Sequence, residues 1–280
     1  LKINKSTIKQ FYKPRKNTAH KGNFGKLLII GGSYKYSGSP ILSAQAAISA
    51  LKTGTDIVEI ISPKRASNII AAYSPNLISI PLSGKHIKKK HLNQILIESQ
   101  NKQAFIIGGG IEQKKSSIKT IINFLKTTKL PGVIDAGAII PINLYKTNLE
   151  KFIFTPHIKE FQRLTNQKLS DKVSDKIKLL NNITKKFNTT ILLKGPTDII
   201  SHKGKSTTIQ GGTPYMTKAG TGDILAGILG GLLAQQPEKI YEATILASYI
   251  NKHAGELSKK KSSLLATDLI KNIGKIVDKF

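Results

Sequence analysis

The stretch KLLIIGGSYKYSGSPILSAQAAISALKTGTDIVEIIS, residues 26–62, decides the fold. It opens on Lys26–Gly32, an Ile/Leu run without polar alternation, as in a strand buried on both faces. Ser39–Thr53 follows, with Ile41, Ala44, Ile48 and Leu51 spaced along one helical face. Asp56–Ser62 then returns to a β-branched run. Strand, helix and strand in this order form a βαβ unit, which implies a parallel sheet covered by helices.

The same rhythm continues outward. Strand Ala104–Ile107 and helix Lys114–Thr127 come next, then strands Gly132–Asp135, Phe152–Phe154 and Thr189–Leu193. Thr197–Gln210 reads as a hairpin turning at Lys203–Gly204. From Thr221 the pattern gives three helices, the last ending near Phe280. No repeat or linker divides the chain. The expected class is α/β with a mostly parallel central sheet. Strands end at Gly31–Gly32, Gly108–Gly110, Asp135 and Lys194–Gly195, and open α/β sheets bind ligands at such carboxyl ends.

Composition narrows the function. The 280 residues are 39% hydrophobic and only 6% aromatic, so Ile, Leu, Val and Ala must build the core. No cysteine is present, which excludes disulfides and thiolate metal sites. No stretch is apolar for long enough to span a bilayer, and the basic N-terminus lacks a signal-peptide core. A cytoplasmic protein without a membrane partner is expected. The formal charge of +28 is spread along every segment, with short clusters at Lys88–Lys90 and Lys259–Lys261. Few aromatics interleave with it and no nucleic-acid motif appears, so no nucleic-acid partner is expected. A positive field would still attract nucleotides.

Four stretches carry chemistry. In KAGTGDILAG (218–227), glycines precede a helix and Asp223 sits in its first turn. Backbone amides and the helix dipole there can hold a phosphate, and Asp223 can take a proton from an attacking hydroxyl. An ordinary helix start would look the same. The glycines at 227, 230 and 231 weaken that helix, which close packing or close ligand approach would explain. IIGGGIE (106–112) permits close approach by a ligand or forms a plain turn; it is not a dinucleotide fingerprint, nor is HKGNFGK (20–26) a P-loop. In FTPHIKEF (154–161), His157 is a possible ligand contact and Glu160 a possible orderer of metal-bound water. Local sequence there favours a cap made by Thr155 with the later Glu. In ILLKGPTDII (191–200), Lys194 at a strand end can meet phosphate, ribose or solvent. His86, His91, His202 and His253 show no metal-ligand spacing and read as surface residues. No Ser/His/Asp nucleophile elbow occurs.

In order, HKGNFGKLLIIGGS, SGSPILSAQAAISALKTGTDIV, IIGGGI, VIDAGAI, FTPHIKEF, LLKGPTDII and KAGTGDILAG resemble one family over residues 17 to 275. It is the ADP/ATP-dependent NAD(P)H-hydrate dehydratases of the ribokinase-like superfamily. The resemblance implies a ribokinase-like three-layer αβα sandwich, taken as one domain over residues 1–280 with residues 1–16 as an N-terminal extension. It also implies nucleotide-dependent dehydration of hydrated NADH or NADPH (S epimer), a lyase reaction of metabolite repair. The nucleotide phosphorylates the ring hydroxyl and phosphate is then eliminated.

Carried onto this chain, Asp223 resembles the base and a substrate contact, and Gly220, Thr221 and Gly222 an anion hole beside the nucleotide. Lys194, Gly195, Pro196, Thr197 and Asp198 resemble the adenine-nucleotide site. Pro40, Gly110 and His157 fall where the family contacts the hydrated cofactor. Mg²⁺ with ADP or ATP is the implied cofactor set, with Glu160 as a candidate metal contact through water. A homo-oligomer is expected, functionally linked to an NAD(P)H-hydrate epimerase, with no fused epimerase domain expected ahead of residue 17. The chain departs from the family at Asp198, usually Thr or Ser, expected to face ribose or solvent. Further departures are Ala219 for Gly, Pro40 for Ala, and TPYMTK (213–218) for an Asn-Pro-Gly opening. The alternative is a ribokinase-like kinase of a vitamin or sugar alcohol, which usually carries Asn in place of His157.

Overall fold

The structure is a computed structural model describing residues 11–12, 14–36 and 38–278, with the side chains of Pro40, Ser43 and Ala46 outside that description. The opening unit is as its residues imply: β1 (Lys26–Ile30), α1 (Gly38–Lys52) and β2 (Ile57–Pro63), with β1 and β2 parallel. β4 (Ala104–Ile107), β5 (Gly132–Ile134), β6 (Phe152–Phe154) and β7 (Thr190–Leu193) continue in parallel beside β1. β8 (Asp198–His202) and β9 (Lys205–Ile209) close the sheet as the expected antiparallel hairpin. Lys203 and Gly204 both take positive φ, +48° and +87°. Two such residues make the tight turn whose twist suits paired strands.

The sequence reading leaves out β3 (Ile78–Leu82) and α2 (Lys64–Tyr73), which extend the sheet beyond β2. β3 is an edge strand and carries Pro81, which lacks a ladder donor; such a run does not look like a strand in isolation. The sheet order is β3-β2-β1-β4-β5-β6-β7-β8-β9. The chain therefore reverses direction of growth between β1 and β4, and a crevice opens at their carboxyl ends.

Alternate residues of each strand feed two cores. Leu27 and Ile29 of β1 face one layer, with α1, α7 (Thr221–Gln235), α8 (Ile240–Leu257) and α9 (Ala266–Val277). Leu28 and Ile30 face the other, with α3 (Leu92–Ser99), α4 (Lys115–Thr127), α5 (Ile158–Thr165) and α6 (Val173–Lys186). This is the three-layer αβα sandwich. No helix among the described residues is long and apolar enough to cross a membrane.

The glycine-rich α7 has a packing explanation. A Cβ on Gly230 would stand 2.5 Å from the Ile106 side chain in β4, and one on Gly231 would stand 2.8 Å from Ala50 Cα in α1. Close approach of α7 to the sheet at Gly230 and to α1 at Gly231, not ligand contact, accounts for those two. Within residues 1–16, residues 1–10 and 13 lie outside the description. Phe11 is buried, however, and its carbonyl accepts from Gln236 Nε2 at 3.0 Å, so that part of the extension belongs to the core. One histidine expected at the surface is also buried: His91 Nδ1 accepts from Lys88 N at 3.0 Å, since its ring closes the turn before α3.

Candidate active site

The carboxyl ends of β5, β6 and β7 meet the amino end of α7. Asp135 follows β5 and is buried; its Oδ1 accepts from Thr155 Oγ1 at 2.7 Å and from Lys194 Nζ at 3.2 Å. Thr155 is thus spent on Asp135 and does not cap α5. That cap is made by His157 itself: Glu160 N donates to His157 Nδ1 (3.3 Å), and His157 N donates to Glu160 Oε2 (2.9 Å). Half of the His157 side chain stays exposed beside the cluster.

Lys194 is the hub. Its ammonium lies 3.2 Å from Asp135, 3.8 Å from Glu160, and 3.3 Å from where a Cβ on Gly222 would stand. Burial alone would lower its pKa, but Asp135 and Glu160 outweigh burial and raise it, so it stays charged. Asp223 sits in the first turn of α7. Burial pushes its carboxyl up to about 7, Asp135 adds to that, and Lys194 opposes it. A carboxylate poised near neutrality can accept a proton and release it again. Beside it, Gly220 caps α7 at φ +96° and, as a glycine, offers no side-chain cap of its own. An uncapped helix start of this kind favours an anion. Thr221 Oγ1 donates back to Met216 O (2.9 Å) and Lys218 O (3.0 Å), so its hydroxyl serves the loop.

Of the other expected residues, Gly110 lies against the start of α1. It takes φ +68°, and a Cβ there would stand 1.7 Å from Ser39 Oγ. Gly110→Val would therefore strain the backbone and displace α1, and it is no clean probe of a ligand site. Pro40 belongs to α1, but its side chain lies outside the description. The turn at Gly108 touches Asp135, whose carbonyl would meet a Cβ on Gly108 at 1.7 Å. This contact joins the Gly110 side to the Lys194 side.

Asp198 corrects the reading of the nucleotide loop: it faces neither ribose nor solvent. Its buried carboxylate accepts from Gly195 N (3.0 Å) and Ser248 Oγ (2.7 Å) and lies 3.4 Å from Lys252 Nζ. A carboxylate buried beside a lysine of α8 is turned inward by that charge. Gly195, Pro196 and Thr197 remain on the loop after β7. Glu160 is engaged by His157 and Lys194. Among the described residues no group of three or more His, Asp or Glu could hold a metal. A divalent cation carried in on phosphate oxygens fits such a site better than a protein cage does. The sequence reading put Asp135 at a strand end where a site could form but gave it no role, and it missed Lys252, which had no signal among so many lysines.

Superposition on solved structures puts the chain in the ribokinase-like class of folds. A ribokinase-like superfamily protein of Enterococcus faecalis superposes with a TM-score of 0.81 at 25% identity, covering 99% of this chain and 95% of that one. An ADP/ATP-dependent NAD(P)H-hydrate dehydratase of Bacillus subtilis, co-crystallised with ATP and Mg²⁺, superposes at 0.79. At 23% identity over 97% and 95% of the two chains, that likeness concerns the fold alone. The family model described as NAD(P)H-hydrate dehydratase matches residues 27–276, and the chain belongs to that family. The ADP-dependent (S)-NAD(P)H-hydrate dehydratase of Nitrosopumilus maritimus is 36% identical over 98% of this chain and 95% of its own length. Some further relatives are bifunctional NAD(P)H-hydrate repair enzymes, matched over about half of their length.

Proposed function

We infer that the protein restores hydrated NADH or NADPH to the reduced cofactor at the expense of a nucleotide, ADP in the first instance or ATP. The observation that carries this reading is Asp223, a near-neutral carboxylate at an uncapped helix start beside the charged Lys194. Asp223 takes the proton of the ring hydroxyl as that oxygen attacks the terminal phosphoryl group. The bond to the leaving nucleotide breaks, and the first-turn amides of α7 with Lys194 stabilise the charge on the phosphoryl oxygens. Loss of phosphate from the ring together with a proton from the adjacent ring carbon restores the double bond. Mg²⁺ bound on the nucleotide would screen its phosphates. His157 and Gly110 flank the side proposed for the hydrated ring, and Lys194–Thr197 the nucleotide side. We place the reaction in the cytoplasm, in a homo-oligomer, with a hydrate epimerase supplying the reactive epimer.

The test is direct. Purified protein with hydrated NADH, Mg²⁺ and ADP or ATP should restore the absorbance of reduced nicotinamide, losing one nucleotide phosphate per cofactor regained. No recovery with either nucleotide, together with stable phosphorylation of a small alcohol, would establish the kinase instead.

Two variants refine the site. His157→Asn keeps a good N-cap residue on α5. It should leave the melting temperature nearly unchanged while raising the KM for hydrated NADH by roughly tenfold, the worth of one polar contact. An unchanged KM would remove His157 from the substrate side. Asp135→Asn takes away a negative neighbour that raises the Asp223 pKa, and it loosens Lys194 toward Asp223. Both effects lower that pKa. The base works deprotonated, so the acid limb of kcat/KM should move to lower pH than in the wild type. A limb that stayed in place would mean that Asp135 does not act on the base.

A further inference from the structure

We propose that Lys252 of α8 is a positioning residue for the nucleotide site, setting the spacing of the two loops that flank it. This rests on the nucleotide-site reading above. Lys252 is buried, and its ammonium donates to three backbone carbonyls: Gly195 O at 3.0 Å, Pro196 O at 3.1 Å and Gly211 O at 3.2 Å. The first two belong to the loop after β7. The third belongs to the loop that runs from β9 to the start of α7. One cation thus ties together the two segments between which a nucleotide would lie, without belonging to either.

The arrangement is charge-balanced and doubled. Asp198, 3.4 Å from Lys252, supplies the counter-charge and is itself held by Gly195 N and Ser248 Oγ. One turn beyond Lys252 on the same helix, Glu256 Oε1 accepts from Gly212 N at 2.8 Å. Ser248, Lys252 and Glu256 are spaced four residues apart and so share one helix face. Gly211 and Gly212 both take positive φ, +119° and +80°, as the bend toward that face requires. A buried ammonium has few competing positions, since leaving its carbonyls unpaired is costly. The loops are therefore fixed before any ligand arrives, and preorganisation of this kind appears as affinity.

The consequence is selective. Lys252 touches neither Asp223 nor the side proposed for the hydrated ring, so its loss should act on nucleotide affinity. The double variant Asp198→Asn/Lys252→Met removes both charges together, which avoids stranding one of them. ADP binding is measured by calorimetry, with kcat and both KM values from the absorbance assay. We expect the ADP Kd and KM to rise at least tenfold, with kcat at saturating nucleotide falling less than threefold and the hydrated-NADH KM within twofold. An unchanged ADP Kd in a cooperatively melting variant overturns the proposal. So does an equal loss for both ligands, which marks a merely structural role. If the double variant does not fold, Ser248→Ala decides, since it removes one bond to Asp198: a rise of about twofold or more in ADP KM alone supports the proposal, and none overturns it. Wild-type protein that binds no ADP would instead sink the nucleotide-site reading itself.

Discussion

Asp223→Asn should lower turnover by roughly a hundredfold or more, the usual cost of removing a general base. Asn keeps the shape of the side chain and its place in the first turn of α7, so nucleotide binding should change little. The same variant has a second signature. Asp223 titrates at about 7 in the folded chain, above the ordinary carboxylate value of 3.8. The native state then holds this proton more tightly than the unfolded chain does, so this group's contribution to stability falls as pH rises from about 4 through 7. At pH 8 the wild type carries the full cost of a buried charge, and the Asn variant does not. The variant should melt higher than wild type at pH 8, by a stabilisation on the order of 2 kcal/mol, and equally at pH 4. Thermal melts at the two pH values, read beside the turnover, separate a base from a helix cap. Near-normal turnover with unaltered melts would make Asp223 a structural residue.

Lys194→Met should cost two to three orders of magnitude in kcat/KM near pH 7. Lys194 is the cation that Asp135 and Glu160 hold beside Gly222, and it also opposes the upward shift of Asp223. Without it, three carboxylates share the site with no ammonium among them. The Asp223 pKa moves up, so less of the base is deprotonated at neutral pH. The phosphoryl group also loses its counter-charge, a term that in comparable sites is worth about a hundredfold or more. The two losses have different pH signatures. Raising the pH should recover the part due to protonation of the base and leave the part due to the missing charge. A full pH profile of kcat/KM reads both, and a profile parallel to wild type would show that Lys194 does not act on Asp223. The opposite displacements expected for Lys194→Met and Asp135→Asn test the same electrostatic balance from its two sides.

Much of this architecture is legible in the chain. The apolar runs of β1, β4 and β7 announce strands buried on both faces, because no polar alternation is needed where helices cover both sides. The hairpin at Lys203–Gly204 is equally plain, since glycine supplies one of its two positive φ values at no cost. Asp223 stands out because a carboxylate directly behind glycines at a helix start is a local pattern. β3 was not legible: an edge strand with Pro81 shows neither buried continuity nor clean alternation.

The sequence by itself determined the βαβ order, the hairpin, the helix that carries Asp223 and the strand ends where a site could form. These are local properties, set by periodicity and by the backbone freedom of a few glycines. Only the tertiary structure decided which charges meet. Asp135 and Lys194 are distant in sequence, and so are Asp198 and Lys252, yet each pair is brought within 3.4 Å. It also turned Thr155 toward Asp135, left the cap to His157, and drew Asp198 inward. A buried charge is placed by whichever opposite charge the packing brings beside it, and among so many dispersed lysines no local pattern shows which one that will be.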